Sequence, residues 1–239
     1  MLRQEYIQMP QTEGGITKTQ REFYRVARFP SVIGALDCTH VAIQSPGGDR
    51  GEIYRNRKGY FSINVQAICD ANIIMTNIVS RWPGSTHDAT IFNNSQINAS
   101  FEAGEFPNCF LLGDSGYPSK SFLMTPIGTP TTPVEQLYNR SHTTTRNCIE
   151  RCFGVIKRRF PCLKLGLRVK LNHAYMNPVA CAVLHNIAAS KGDAEPPNDA
   201  DATEGRQVFA EVPGDQDINV CAGGAAVRTR LINEYFARQ

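Results

Sequence analysis

Five consecutive apolar residues, Val32-Ile-Gly-Ala-Leu36, running straight into Asp37, constrain this 239-residue chain more than any other stretch. A short run without alternation suits a strand buried on both faces, which needs covering layers above and below it. The predicted strand spans 31–45, because Val41-Ala-Ile43 resumes the apolar pattern after Asp37. A carboxylate between two apolar runs is costly unless it is paired, protonated or bound to a cation. An acid capping a turn at Thr39 or His40 is the competing explanation.

Three other segments present an acid at a break between elements. Leu111-Leu-Gly-Asp-Ser-Gly-Tyr-Pro118 reads as a short buried strand ending in Asp114, broken by Gly and Pro. A plain turn would explain it equally. Trp82-Pro-Gly-Ser-Thr-His-Asp88 closes a strand and opens a helix, with Ser85 or Thr86 as cap and Ala89, Ile91, Phe92 and Ile97 as its apolar positions. The helix dipole alone would account for Asp88 there. The clearest helix is predicted over 143–160, where Ile149, Cys152, Phe153, Ile156 and Phe160 form one stripe. Glu150 lies at the edge of that stripe with Arg146 and Lys157 on its flank. It can look across the seam toward a sheet end, or pair at the surface with Arg146 four residues away.

Between these segments, residues 1–16 read as irregular, and Thr19-Gln-Arg-Glu22 resembles a capping box opening a helix to Arg28 with Phe23 and Val26 inward. Tyr54-Arg-Asn-Arg-Lys58-Gly-Tyr60 interleaves cations with aromatics, a pattern for a phosphate backbone or for a solvated loop. Segments 61–69 and 73–82 read as a hairpin turning at Asp70-Ala-Asn72, with Asp70 a turn residue. Residues 122–124 suit a short strand and 125–140 a surface loop. Asn177-Pro178 opens a helix with Val179, Ala182, Val183 and Ile187 inward and His185 as a core histidine. Residues 225–237 suit a short terminal helix.

The formal charge is +3, and its distribution says more. Residues 1–190 carry 20 Lys and Arg against 13 Asp and Glu, a balance of +7, whereas 191–217 carry 2 against 8, a balance of −6. A basic body suits a polyanionic partner. The acidic stretch lacks periodicity and is predicted to be disordered. None of the eight cysteines falls in Cys-x-x-Cys spacing, so reduced, buried thiols are expected rather than a disulfide framework, and Cys148 and Cys152 lack companions for a zinc set. No long apolar run or signal-like start is present, so neither a membrane span nor secretion is expected.

Acids at strand ends and on an adjacent helix can converge in a mixed α/β sheet flanked by helices. Gathered carboxylates repel one another and raise their own pKa values. Hard divalent cations relieve that cost, and an all-oxygen donor set suits Mg²⁺ or Mn²⁺. Two such ions about 3.5–4 Å apart can activate a water and stabilise the leaving oxygen of a phosphodiester. No P-loop, Gly-x-Ser-x-Gly or dinucleotide fingerprint points to other chemistry.

The motifs Gly34-Ala-Leu-Asp-Cys-Thr-His40, Trp82 to Asp88, Leu111 to Pro118 and Ile149-Glu-Arg-Cys-Phe-Gly154, followed by Lys157-Arg-Arg-Phe160, resemble the PIF/Harbinger transposases, and among them the transposase-derived nucleases of animals. The resemblance runs from about residue 29 to 191, four motifs in order. It implies a ribonuclease-H-like fold over 31–191, preceded by a lead-in over 1–30 and followed by an acidic linker over 192–217 and a C-terminal helix over 218–239. It implies a divalent-metal-dependent DNA endonuclease of DDE type. Asp37, Asp114 and Glu150 would be catalytic and hold Mg²⁺ or Mn²⁺, with Asp88 as a further metal position. Arg55, Arg57, Lys58, Arg146 and Lys157 would meet phosphates.

Full-length relatives carry a longer N-terminal region with a helix-turn-helix-like part, whereas 30 residues precede the Asp37 strand here. The expectation is therefore a nuclease without autonomous transposition, working with DNA, a separate Myb-like DNA-binding partner protein and further copies of itself, in nucleus and cytoplasm. Two readings stand beside it: a catalytically silent DNA- or protein-binding subunit, and a hydrolase of small phosphoesters.

Overall fold

In a computed structural model that describes residues 2–49, 51–197 and 222–239, the helices α1 (Leu2–Tyr6) and α2 (Glu13–Ala27) lead into strand β1 (Val32–Ala42). The hairpin β2 (Ser62–Cys69) and β3 (Met75–Pro83), helices α3 (Asp88–Asn93) and α4 (Gln96–Glu102), and strands β4 (Phe110–Leu112) and β5 (Leu123–Met124) follow. Helices α5 (Pro133–Arg159), α6 (Cys162–Leu165), α7 (Leu171–Ser190) and α8 (Ala222–Glu234) come next among the described residues. The strands form one mixed sheet in the order β3-β2-β1-β4-β5. β1 runs antiparallel to β2 and parallel to β4. This is the ribonuclease-H-like arrangement. No helix among the described residues is long and apolar enough to cross a membrane.

The apolar start of β1 is buried on both faces, as its composition requires. Val32 and Ala35 join a core with Phe23 of α2, Ile149 and Cys152 of α5 and Ala182 of α7. Ile33 and Leu36 join a second core with Phe92 of α3, Ile97 of α4 and Leu111. At Gly34 an added Cβ would come within 2.4 Å of Ile68 and 2.9 Å of Leu111, so only glycine lets the three central strands close there. The Asp70 turn forms as expected, its Oδ1 accepting from the backbone N–H of Asn72 at 2.9 Å and of Ile74 at 2.8 Å. The described cysteines are free thiols, five of them buried; Cys162 is exposed, and Cys221 lies outside the described residues. Residues 198–217 of the expected acidic linker lie outside them as well.

Several boundaries differ from expectation. α2 starts at Glu13, not Thr19, because Thr12 caps it by accepting from Gly15 N–H at 3.1 Å. Its Val26 is exposed while Phe23 is fully buried. The helix beginning at Asp88 is two helices: Ser95 caps α4 by accepting from Asn98 N–H, and neither Ser85 nor Thr86 caps α3. α5 begins ten residues early, inside the expected loop. Thr132 and Glu135 form a reciprocal capping box there, with Pro133 in the first turn. Pro178 lies inside α7 rather than at its start, where Ala174, Pro178 and Ala182 share a buried face. Burial of that face offsets the hydrogen bond a helical proline forfeits.

Candidate functional site

β1 carries Asp37 at its midpoint, opposite Ala67 of β2, and continues as a regular strand through Thr39 and His40. No turn exists there for Asp37 to cap. Parallel pairing sets Ala35 beside Leu112, so Asp114, two residues beyond each, comes off the end of β4 next to Asp37. α5 packs on the face of β1 and β2 and brings Arg146 and Glu150 to the strand ends.

One guanidinium joins the three acids. Arg146 Nη2 donates to Asp37 Oδ2 at 2.8 Å and lies 3.8 Å from Asp114 Oδ2, while Nη1 donates to Glu150 Oε1 at 2.8 Å. The Asp37 and Asp114 oxygens can therefore be no farther apart than the sum of the two distances they make with Nη2. Exposure grades the contacts: the side chains of Arg146 and Asp37 are 11% and 15% exposed, that of Glu150 58%. The surface pairing of Glu150 with Arg146 is real, and the same arginine reaches on into the sheet. Asp114 Oδ1 accepts from Gly116 N–H at 2.9 Å, which fixes the carboxylate on its turn.

Burial pushes Asp37 up to about 7; Arg146 pulls against it, and Asp114 and Asp88 add to the rise. Asp88 is also raised, by burial first, with Asn64 opposing and Asp114 adding. It opens α3 without capping it, and its Oδ1 accepts from Asn64 Nδ2 at 2.7 Å. Cys38, whose thiol lies 3.4 Å from the Tyr117 hydroxyl, stands beside it. Asp88, on α3, meets Asn64 on the face of the sheet away from Asp37, and its charge still adds to the rise at Asp37.

The cations divide. Lys157 Nζ donates to Thr39 Oγ1 at 2.6 Å, two residues along from Asp37, and burial together with Lys58 lowers its pKa to about 8. His40, behind it, is kept neutral by burial and by Lys157, Lys58 and Arg57, with a pKa of about 4. Arg57 reaches the His87 ring next to Asp88. Arg55 is bonded to Glu52 and to the Gly59 carbonyl and lies over the Phe61 ring, so it braces the turn that carries Arg57 and Lys58.

Among the described residues, no three Asp, Glu, His or Cys side chains form a ready-made cage for an ion. A guanidinium draws the acids together instead. The donor chemistry still fits a hard cation: oxygen ligands only, with carboxylates that raise one another's pKa. His185 and the Cys69–Cys148 pair stand apart from this site, in the core.

Reading the residues in order missed Asn64, His87 and Thr39 as parts of this neighbourhood. The strand Ser62-Ile-Asn-Val-Gln-Ala-Ile68 held a signal, polar side chains at every second position of a strand buried along its length.

Comparison with known proteins places the chain among related sequences. The family model described as DDE superfamily endonuclease matches residues 36–186. The human protein named "Putative nuclease HARBI1" is 37% identical over 191 residues, covering 79% of this chain and 54% of the relative. The protein of that name from Xenopus laevis is 32% identical over 188 residues, covering 77% and 54%. "Protein ALP1-like" from Arabidopsis thaliana is 23% identical over 194 residues, covering 74% and 48%. The chain thus spans about half the length of the curated relatives it matches. No solved structure matches it.

Proposed function

This chain belongs to the DDE superfamily of endonucleases, on its Harbinger transposase-derived branch, and from that premise we propose that it is a divalent-metal-dependent DNA endonuclease that does not transpose autonomously. The observation that carries the proposal is the meeting of Asp37, Asp114 and Glu150, from two strands and a helix, on one guanidinium. In this reading Asp37, Asp114 and Glu150 hold Mg²⁺ or Mn²⁺, with Asp88 as an additional ligand. The bound metal supplies activation of a water and stabilisation of the leaving oxygen of a phosphodiester.

The chain's own residues do the rest. Arg146 offsets part of the acids' charge in the metal-free protein and so eases their mutual repulsion. Arg146, Lys157 and the turn of Arg55, Arg57 and Lys58 meet the phosphates. Lys157, with a pKa of about 8, is charged over most of its population at neutral pH. The family likeness suggests the remaining elements: a Myb-like DNA-binding partner, further copies of the chain, and residence in nucleus and cytoplasm.

The test is nicking of supercoiled plasmid with Mg²⁺ or Mn²⁺. Wild-type protein should nick and Asp114→Ala should not; if the two are indistinguishable, the enzyme claim is lost. The guanidinium also favours a second reading, a catalytically silent DNA- or protein-binding subunit whose acids are permanently satisfied by Arg146. Calorimetric titration with Mn²⁺ separates them: absence of heat, or heat unaffected by Asp37→Ala, favours the second.

A further inference from the structure

Asn64 lies on β2 directly across from His40, with Gln66 two residues along on the same face of the sheet. It is 1% exposed. Its Nδ2 donates to Asp88 Oδ1 at 2.7 Å and to the Thr86 carbonyl at 3.0 Å. One amide therefore grips both the carboxylate and the backbone two residues ahead of it. Asp88 is fixed in rotation and its turn is fixed in place, while Oδ2 is the oxygen Asn64 does not engage.

The arrangement is costly. Asn64 Oδ1 has no hydrogen-bond partner among the described residues, nor has either polar atom of the fully buried Gln66. A buried polar atom left without a partner costs about 1–3 kcal/mol. Ile68, two residues beyond Gln66 on the same face, is fully buried, so this face of the strand accepts an apolar side chain. A polar residue retained at such a cost, bonded to an acid of the candidate site, points to a role other than packing.

We infer that Asn64 is the positioning residue for Asp88: it holds the carboxylate in one rotamer and reserves Oδ2 for the cation. The inference rests on the nuclease reading above and deepens it. It concerns the metal-loading step, since Asn64 acts through Asp88 rather than on the phosphodiester.

The experiment is a double-mutant cycle on the full chain, read by calorimetric Mn²⁺ affinity, with thermal unfolding in EDTA as the control for folding. Asn64→Leu, close to isosteric, should bind Mn²⁺ about tenfold more weakly, the scale set by outer partners of metal ligands. Asp88→Ala should weaken binding as well. Asn64→Leu on top of Asp88→Ala should add nothing. Asn64→Ser, smaller and polar, repeats the cycle should the leucine variant fail to fold. Unchanged Mn²⁺ affinity in a folded Asn64 variant, or weakening of equal size with Asp88 already removed, overturns the inference and leaves the nuclease reading standing. A wild-type protein that takes up no Mn²⁺ overturns the nuclease reading itself, and this inference with it.

Discussion

Replacing Arg146 by methionine keeps the aliphatic stem and deletes the charge that Asp37 leans on. In the wild type Asp37 has a pKa of about 7, against about 3.9 for an aspartate in an unfolded chain. An acid with the higher pKa in the folded state lends stability that is fully present below the unfolded value. That stability falls as pH rises and levels off once the folded-state carboxyl has ionised, here near 7. Arg146 is the largest influence holding that pKa down. Without it the carboxyl stays protonated to higher pH, and the loss continues past 7 at about 1.4 kcal/mol per pH unit. Glu150, 58% exposed, and Asp114, 40% exposed and 3.8 Å away, add little. The variant should match the wild type at pH 6 within about 0.5 kcal/mol and be about 2–3 kcal/mol less stable at pH 9. Urea unfolding in EDTA at the two pH values measures the difference. A loss of equal size at both would mean that Asp37 is ionised throughout. No loss at pH 9 would mean that its charge does not depend on the guanidinium. Either result refutes the reasoning.

Other perturbations test how the frame around the site is held. Phe236, 2% exposed, has its ring centroid 5.5 Å from those of both Phe29 and Tyr138; Phe236→Ala should cost about 3–5 kcal/mol in urea unfolding. At Gly224 of α8 an added Cβ would fall 2.1 Å from the Ser119 carbonyl oxygen, so Gly224→Ala should speed amide exchange across 223–234 while leaving the β1 amides protected. Thr132→Ala removes one half of the α5 capping box and should cost about 1 kcal/mol, with faster exchange confined to the first turn of that helix.

What could be read from the chain alone follows from how local each signal is. The double burial of β1 was visible in Val32 to Leu36, and the Asp70 turn was visible in its own four residues, because both depend on near neighbours. The contrast between two similar motifs is instructive. Thr19-Gln-Arg-Glu22 has the capping-box pattern yet lies mid-helix, where Thr19 Oγ1 donates to the Gly15 carbonyl at 3.0 Å. Thr132-Pro-Val-Glu135 has the same pattern plus a proline in the first turn, and does open its helix. Pro178 was misread because its penalty is local while its compensation, burial against the sheet, is not. Within the site, Asp37 and Asp114 could be suspected from apolar runs that stop beside them, Asp88 from a break between strand and helix, and Glu150 from its place at the edge of a helical stripe. That Asp37, Asp114 and Glu150 share one arginine follows from the parallel pairing of β1 with β4 and the placement of α5 on the sheet. Sequence spacing does not encode either. Asn64 was hidden by the same limit, since its partner Asp88 is 24 residues away across the sheet.

Arg146, Glu150 and Lys157 all ride on α5, which runs without interruption from Pro133 to Arg159. At 1.5 Å per residue the two basic side chains leave the helix about 16 Å apart along its axis, with the acid between them. A single rod gears these three groups to one another. A shift or roll of the rod would carry the acid and both charges by a common amount, so the carboxylate and the two cations share a single mechanical setting.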